Sequence, residues 1–208
     1  MPTLEWERGI WNGAGYRYIA GLDEAGRGAL AGPVVAAAVM LPLDNPDLEY
    51  LLLDVDDSKQ VPAGRRQQLF EVIRETAVAS GVGQVDAATI DAIGILPATR
   101  RAMRAALAHL HPAPDYLLID GRIRLTTLSL PQQSIIRGDS ASLTIAAASI
   151  LAKVSRDRMM GELSQQFPHY GFAQHKGYGT VQHRQALIDF GPCPEHRRSF
   201  APLRLSLL

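Results

Sequence analysis

The sequence predicts an α/β domain with a mixed sheet, and three observations predict it. Apolar, uncharged runs at 18–22, 34–41 and 116–119 have the length of buried strands. Helical segments stand at 62–80, 97–109 and 142–166, two of them with apolar residues at helical spacing and the third rich in alanine. In the second half, strand runs precede helical ones, which is the alternation of α/β folds.

Taken in order, residues 1–15 carry two Trp and three Gly with no clean period. They are expected to pack loosely on the domain, with Trp6 and Trp11 as anchors. The first strand run ends in Asp23-Glu24-Ala25-Gly26-Arg27-Gly28, whose glycines allow a tight, exposed loop. The run at 34–41 then completes a hairpin with the acids at its open end. Residues 50–59 read as a third short strand entering an acidic loop. Pro62 starts a helix to about Ser80, with Leu69, Val72, Ile73 and Thr76 on its buried face, and Gly81 ends it. Residues 82–85 read as a strand and 87–93 as a helical turn. The basic amphipathic helix at 97–109 gathers Met103, Ala106, Leu107 and Leu110. The buried strand at 116–119 delivers Asp120 and Gly121, repeating the order of the first strand: apolar run, acid, glycine. An edge-type strand within 128–136, interrupted by Pro131, leads to Asp139 immediately before the alanine-rich helix. Residues 168–180 are aromatic, glycine-rich and basic, and a last helix runs to Phe190. The expected division is an extension at 1–15, a core domain at 16–168 and a C-terminal helical region at 169–208.

The totals exclude several classes. A chain of 208 residues buries one sizeable core. Lys+Arg and Asp+Glu balance at 21 each, so nucleic-acid binding requires a local basic surface rather than net charge. The single Cys193 rules out an internal disulfide framework and fits a reducing compartment. With no run of transmembrane length and no basic start followed by an apolar core, the chain reads as soluble, cytoplasmic and free of the membrane.

Asp23, Glu24, Asp120 and Asp139 each stand at an element end beside glycine. Clustered carboxylates repel unless a hard cation neutralises them, and Mg²⁺ and Mn²⁺ prefer oxygen ligands of this kind. The chemistry such a cluster suits is two-metal phosphoryl transfer. Against this stand the ordinary uses of such acids: a solvated turn for Asp23 and Glu24, a helix N-cap for Asp139.

Asp23-Glu24-Ala25-Gly26-Arg27-Gly28 with Leu30-Ala31-Gly32-Pro33, Asp57-Ser58-Lys59, Ile119-Asp120-Gly121, Gly138-Asp139, the Ala146–Val154 stretch with Arg156-Asp157, and His175-Lys176-Gly177-Tyr178-Gly179-Thr180 together resemble bacterial ribonuclease HII, the type 2 ribonuclease H. The resemblance runs in order from about residue 16 to Pro202. It implies a ribonuclease H-like fold: a mixed five-stranded sheet flanked by helices, with a small substrate-contacting helical region at the C-terminus. It implies that Asp23, Glu24, Asp120 and Asp139 are the catalytic, metal-binding carboxylates, serving two Mn²⁺ or Mg²⁺ ions. It implies hydrolysis 5′ of a ribonucleotide, in RNA–DNA hybrids and at single ribonucleotides embedded in duplex DNA, leaving 3′-hydroxyl and 5′-phosphate ends. Such an enzyme starts the removal of misincorporated ribonucleotides.

By the same resemblance, Gly26, Arg27 and Gly28 contact the 2′-hydroxyl largely through the backbone, and Tyr178 packs on the sugar of the following deoxynucleotide. The 2′-hydroxyl is the group that distinguishes RNA from DNA. Lys59, Ser149, Lys153, Arg156, His175 and Lys176 are expected near phosphates. Arg197 and Arg198 read equally as phosphate contacts or surface charge. Gly94 and Pro97 depart from the family pattern and leave the start of the 97–109 helix open. The tail Arg204-Leu205-Ser206-Leu207-Leu208 resembles a sliding-clamp peptide, against an ordinary apolar tail. A monomer is expected. The rival readings are a ribonuclease HIII-like nuclease, which carries a lysine in the glycine loop and an extra N-terminal domain, and a decayed hybrid-binding protein.

Overall fold

The computed structural model describes residues 1–205 and shows a five-stranded mixed sheet between two helical layers. Strands β1 (Ile19–Ala25) and β2 (Val34–Met40) form the predicted antiparallel hairpin, and β3 (Ala79–Val85) pairs antiparallel on the far side of β2. β4 (Tyr116–Asp120) runs parallel to β1, and β5 (Gln132–Ile135) parallel to β4, giving the order β3-β2-β1-β4-β5. β5 begins just after Pro131, at an edge, where a missing N–H costs no ladder bond.

The helices are α1 (Glu5–Ala14), α2 (Leu48–Leu51), α3 (Ala63–Thr76), α4 (Ala87–Ile93), α5 (Ile95–Leu107), α6 (Gly138–Ala141), α7 (Leu143–Gln166), α8 (Phe172–His175) and α9 (Val181–Phe190). On one face of the sheet, α4 and α5 bury Ile90, Ala102, Met103 and Ala106 against Ala20, Leu22, Ala36, Ala38 and Ile119. On the other, α3 and α7 bury Leu69, Ile73, Ala147 and Leu151 against Ala37 and Val39. Strand alternation sorts β1 accordingly: Ala20 and Leu22 face α5, so Gly21 and Asp23 face α7. Gly21 is required there. A Cβ on it would lie 2.5 Å from the Thr144 carbonyl carbon and 2.6 Å from the Ile145 nitrogen, so only glycine lets α7 rest directly on β1.

Three readings of the sequence are corrected. Residues 1–15 do not pack loosely: α1 is helical, with Leu4 and Glu7 fully buried. Residues 50–59 are not a strand. Leu48 and Leu52 are buried while Tyr50, Leu51 and Leu53 are exposed, which is the i, i+4 spacing of the short α2 rather than alternation. The helix begun at Pro62 stops at Thr76, and Gly81 lies inside β3, where the Ala106 carbonyl of α5 occupies the space a side chain would need.

Residues 168–200 form no separate body. Tyr170, Phe172, Ala186 and Cys193 pack with Ala31 and with Met160 of α7. Among the described residues no helix is long and apolar enough to cross a membrane.

Candidate active site

The four predicted acids converge at the C-terminal ends of the parallel strands. Asp23 and Glu24 lie near the end of β1, Asp120 ends the adjacent β4, and Asp139 sits in α6 directly after β5. Asp23 and Asp139 are each only 6% exposed. The Asp120 carboxylate accepts from the Gly138 amide at 2.7 Å and the Asp139 amide at 3.4 Å, which pins the turn bearing the fourth acid to β4. Asp139 is not the N-cap of the long helix. Ser142 is, its hydroxyl accepting from the Ile145 amide, so Asp139 is released from the structural role the sequence allowed it.

The electrostatics are those of acids short of positive charge. Burial first, then the charges of Glu24 and Asp120, raise the Asp23 carboxyl well above the ordinary range, against bonds from Ser149 and the Glu24 amide. Burial also raises Glu24, with Arg27 opposing and Asp120 adding to the rise. Asp139 is raised by burial, Asp120 and Asp57, with Lys59 opposing. Glu24 Oε2 is buried with no hydrogen-bond partner.

The donor set is all oxygen, it carries excess negative charge, and it holds an orphaned carboxylate oxygen, so it fits hard divalent cations. Among the described residues no group of three or more His, Cys, Asp and Glu side chains is drawn together closely enough to hold a metal ion as it stands.

The basic residues divide. Lys59 reaches the site, 3.6 Å from Asp139 Oδ2 and 3.8 Å from Asp57 Oδ1, and its amine is raised by these acids against partial desolvation. Arg27, exposed, pairs with Glu24 at 3.4 Å. Lys153 donates to Asp157 at 2.6 Å, and the Lys176 amine donates to the Ala173 carbonyl at 2.7 Å. Both line a cleft of about 580 Å³ with Arg66, Asp157 and Arg158.

Ser149 and Arg156, expected near phosphates, are instead buried and bonded within the protein. Ser149 is 3% exposed, bonded to the Ser58 hydroxyl and beside Asp23. Arg156, 1% exposed, donates from all three guanidinium nitrogens to the carbonyls of Pro33, Lys176 and Ala31. Arg197, equally buried, donates to the carbonyls of Gly32 and Arg27. Among the described residues neither makes a close ion pair with a carboxylate, although Asp157 acts on Arg156 and Asp91 on Arg197 from further away. Together the two arginines hold the 26–33 loop from behind, while Arg198 stays exposed.

That loop is further tied by the Leu30 amide to the Gly177 carbonyl at 2.8 Å and by the Arg197 amide to the Leu30 carbonyl at 2.8 Å. Tyr178 therefore lies beside Gly26-Arg27-Gly28, its ring 41% exposed and 5.5 Å above the Arg156 guanidinium. The Tyr178 carbonyl accepts from His183 Nδ1 at 3.0 Å. A carbonyl cannot donate, so neutral His183 carries its proton on Nδ1, and its Nε2 accepts from His196 Nε2–H at 3.0 Å. His196 Nδ1 in turn accepts from the Cys193 amide at 3.0 Å. The sequence reading missed this buried relay. His183 and His196 sit thirteen residues apart and no motif joined them.

A family model described as Ribonuclease HII matches residues 20–203. A ribonuclease HII of Chloroflexus aurantiacus is 55% identical over 211 residues, covering 100% of this chain and 97% of that protein. Among solved structures, the ribonuclease H2 of Pyrococcus horikoshii is similar with a TM-score of 0.75 and 25% identity, over 91% of this chain and 96% of that one. The ribonuclease HII solved in complex with PCNA from Archaeoglobus fulgidus gives a TM-score of 0.75 and 27% identity, over 88% and 95%.

Proposed function

The chain belongs to the ribonuclease HII family, whose members are RNA–DNA hybrid endoribonucleases, and from that premise we propose that it cuts 5′ of ribonucleotides in hybrids and of single ribonucleotides embedded in duplex DNA. The observation that supports this most is the cluster of Asp23, Glu24, Asp120 and Asp139, two of them buried and two half-buried, in which burial and mutual repulsion raise three of the carboxyls.

In this reading the four acids hold two Mg²⁺ or Mn²⁺ ions and are the catalytic carboxylates. The chemistry such ions supply when bound is activation of water for in-line attack and stabilisation of the leaving 3′ oxygen. The chain's own residues do the rest. Lys59 keeps a positive charge beside Asp139, and Arg27 another beside Glu24. The 26–28 backbone, held by Arg197 at the Arg27 carbonyl and backed by the Arg156 side chain, presents its peptide groups to the 2′-hydroxyl, and the exposed Tyr178 covers the next sugar. Lys153 and Lys176 border a basic cleft suited to phosphates, and substrate contact is assigned in this reading to the C-terminal region 169–208. Arg27 in the glycine loop favours this type over the HIII type. We keep a cytoplasmic monomer as part of the proposal. Contact with a sliding clamp through 204–208 is supported by the Archaeoglobus complex, although Ser206, Leu207 and Leu208 lie outside the described residues.

The test is incubation with duplex DNA carrying one ribonucleotide, beside an all-DNA control, with mapping of the product ends. A single cut leaving 3′-hydroxyl and 5′-phosphate supports the reading. Cutting of long hybrids alone points to HIII-like behaviour, and binding without cutting to a decayed binding module.

A further inference from the structure

The 1–14 segment lies outside the span matched by the family model, yet it is fastened to the turn that carries Asp139. Thr3 forms a parallel bridge with Ser142: the Thr3 amide donates to the Ala141 carbonyl at 3.2 Å, and the Leu143 amide to the Thr3 carbonyl at 2.9 Å. One turn into α1, Glu7 is 0% exposed, and its Oε1 accepts from the Ser142 hydroxyl at 2.6 Å and the Thr144 amide at 2.9 Å. A carboxylate thus caps the first turn of α7, where free amides and the helix dipole favour negative charge.

The carboxylate is buried without a counter-charge among the described residues, and Glu7 Oε2, Trp11 Nε1 and Thr144 Oγ1 are buried there without partners. An apolar side chain of similar volume would spare the carboxylate's desolvation but leave the Ser142 hydroxyl and the Thr144 amide without this acceptor. What the carboxylate adds is direction. The four-residue α6 is pinned at its start by Asp120 through the Gly138 amide and at its end by Glu7 and Thr3 through Ala141 and Ser142, with Asp139 between.

We propose that Glu7 is a positioning residue: by capping α7 and fixing Ser142, it holds the turn that points Asp139 at the other three acids. The proposal rests on the reading of those acids as cation ligands. Partners one step behind a metal ligand set its orientation, and their loss weakens metal binding without removing a ligand.

The test measures Mn²⁺ binding by the full chain from the electron paramagnetic resonance of free Mn²⁺, with hydrogen exchange of the 138–142 amides, well below each protein's melting temperature. Glu7→Ala is expected to weaken Mn²⁺ binding about tenfold and speed exchange at 138–142. Glu7→Gln, which keeps the acceptor oxygen, is expected to stay near wild type. Should Glu7→Ala fail to fold, Ser142→Ala withdraws one of the two donors and is expected to give the same effects in weaker form. A Glu7→Ala protein, or a Ser142→Ala protein in its place, with lowered melting temperature but unaltered Mn²⁺ binding and exchange overturns the proposal and leaves a plain anchor. Asp139→Asn separates the layers. If it too binds Mn²⁺ normally, the reading of the acids fails; if it loses binding while Glu7→Ala does not, only the positioning role fails.

Discussion

Gly26 and Gly28 flank the same arginine, yet the structure assigns them opposite sensitivities to a single methyl group. Gly26 has φ +85°, and a Cβ there would sit inside the Arg156 guanidinium. Gly28 has no atom within 4 Å of an added Cβ and no positive φ. For Gly26→Ala, the left-handed backbone costs about 1 kcal/mol. Displacing Arg156 breaks at least one of its three bonds to buried carbonyls, at about 1.5–3 kcal/mol for each bond of a charged group. The sum is about 2.5–4 kcal/mol, which for a chain of this size lowers the melting temperature by roughly 10 °C. Gly28→Ala is expected to stay within about 0.5 kcal/mol of wild type. Thermal unfolding by circular dichroism, with cleavage of a single-ribonucleotide duplex at a temperature where both proteins are folded, reads the two effects. Gly28→Ala is expected to melt normally and to lose kcat/KM, because in the proposed reading its methyl group would stand where the 2′-hydroxyl approaches. Equal melting temperatures for the two variants would refute the role given to Arg156. A Gly28→Ala protein with full kcat/KM would refute the backbone contact.

Other perturbations separate the acids, the ring and the histidines. Asp23→Asn is expected to cut turnover on the order of 10²–10³-fold, the loss of a few kcal/mol of transition-state stabilisation. Its melting temperature in chelator should hold or rise, because a buried repelling charge is removed; a drop would contradict the electrostatics. Tyr178→Ala should keep cleavage of long hybrids while losing preference for an RNA-to-DNA junction, scored by the ratio of kcat/KM on the two substrates. Burial, His183 and Arg198 lower His196 from 6.5 to about 4, although the Cys193 backbone opposes. The unfolded chain therefore takes up this proton first, and the contribution of neutral His196 is complete above about pH 6.5 and lost as pH falls towards 4. Its limit is about 3 kcal/mol. The raised acids shift stability in the opposite direction on acidification, so the quantity to measure is the difference in urea unfolding between wild type and His196→Gln from pH 7 to 4.5. A difference independent of pH would refute the relay.

The hairpin, Asp120 and the 87–93 turn were legible because local pattern and tertiary burial agree there. The run 34–41 is buried throughout, and the 87–93 turn is α4, capped by Asp86 through the Thr89 amide. Where the pattern failed, a distant partner decided. Gly81 ends a helix by local rule but lies in a strand because α5 presses a carbonyl against it. Residues 50–53 are apolar enough for a strand, yet only Leu48 and Leu52 find a core. The four acids were found through spacing beside glycine and through family resemblance. Arg156 and Ser149 belong to the same motifs, but composition cannot tell a guanidinium aimed at phosphate from one spent on three carbonyls. Glu7 left no signal, since its partners lie more than 130 residues away.

The central claim is that the acids at the ends of β1 and β4 and in α6 make one cation-dependent hydrolytic site. Asp120 tests it most directly, because it bonds the Asp139 turn and its charge acts on the other three. Wild type and Asp120→Asn would be assayed on a duplex with a single embedded ribonucleotide, in Mg²⁺, in Mn²⁺ and in chelator. The account predicts one cut by wild type with either ion, none in chelator, and none by a folded Asp120→Asn. Undiminished cutting by that variant, or by wild type in chelator, would contradict it.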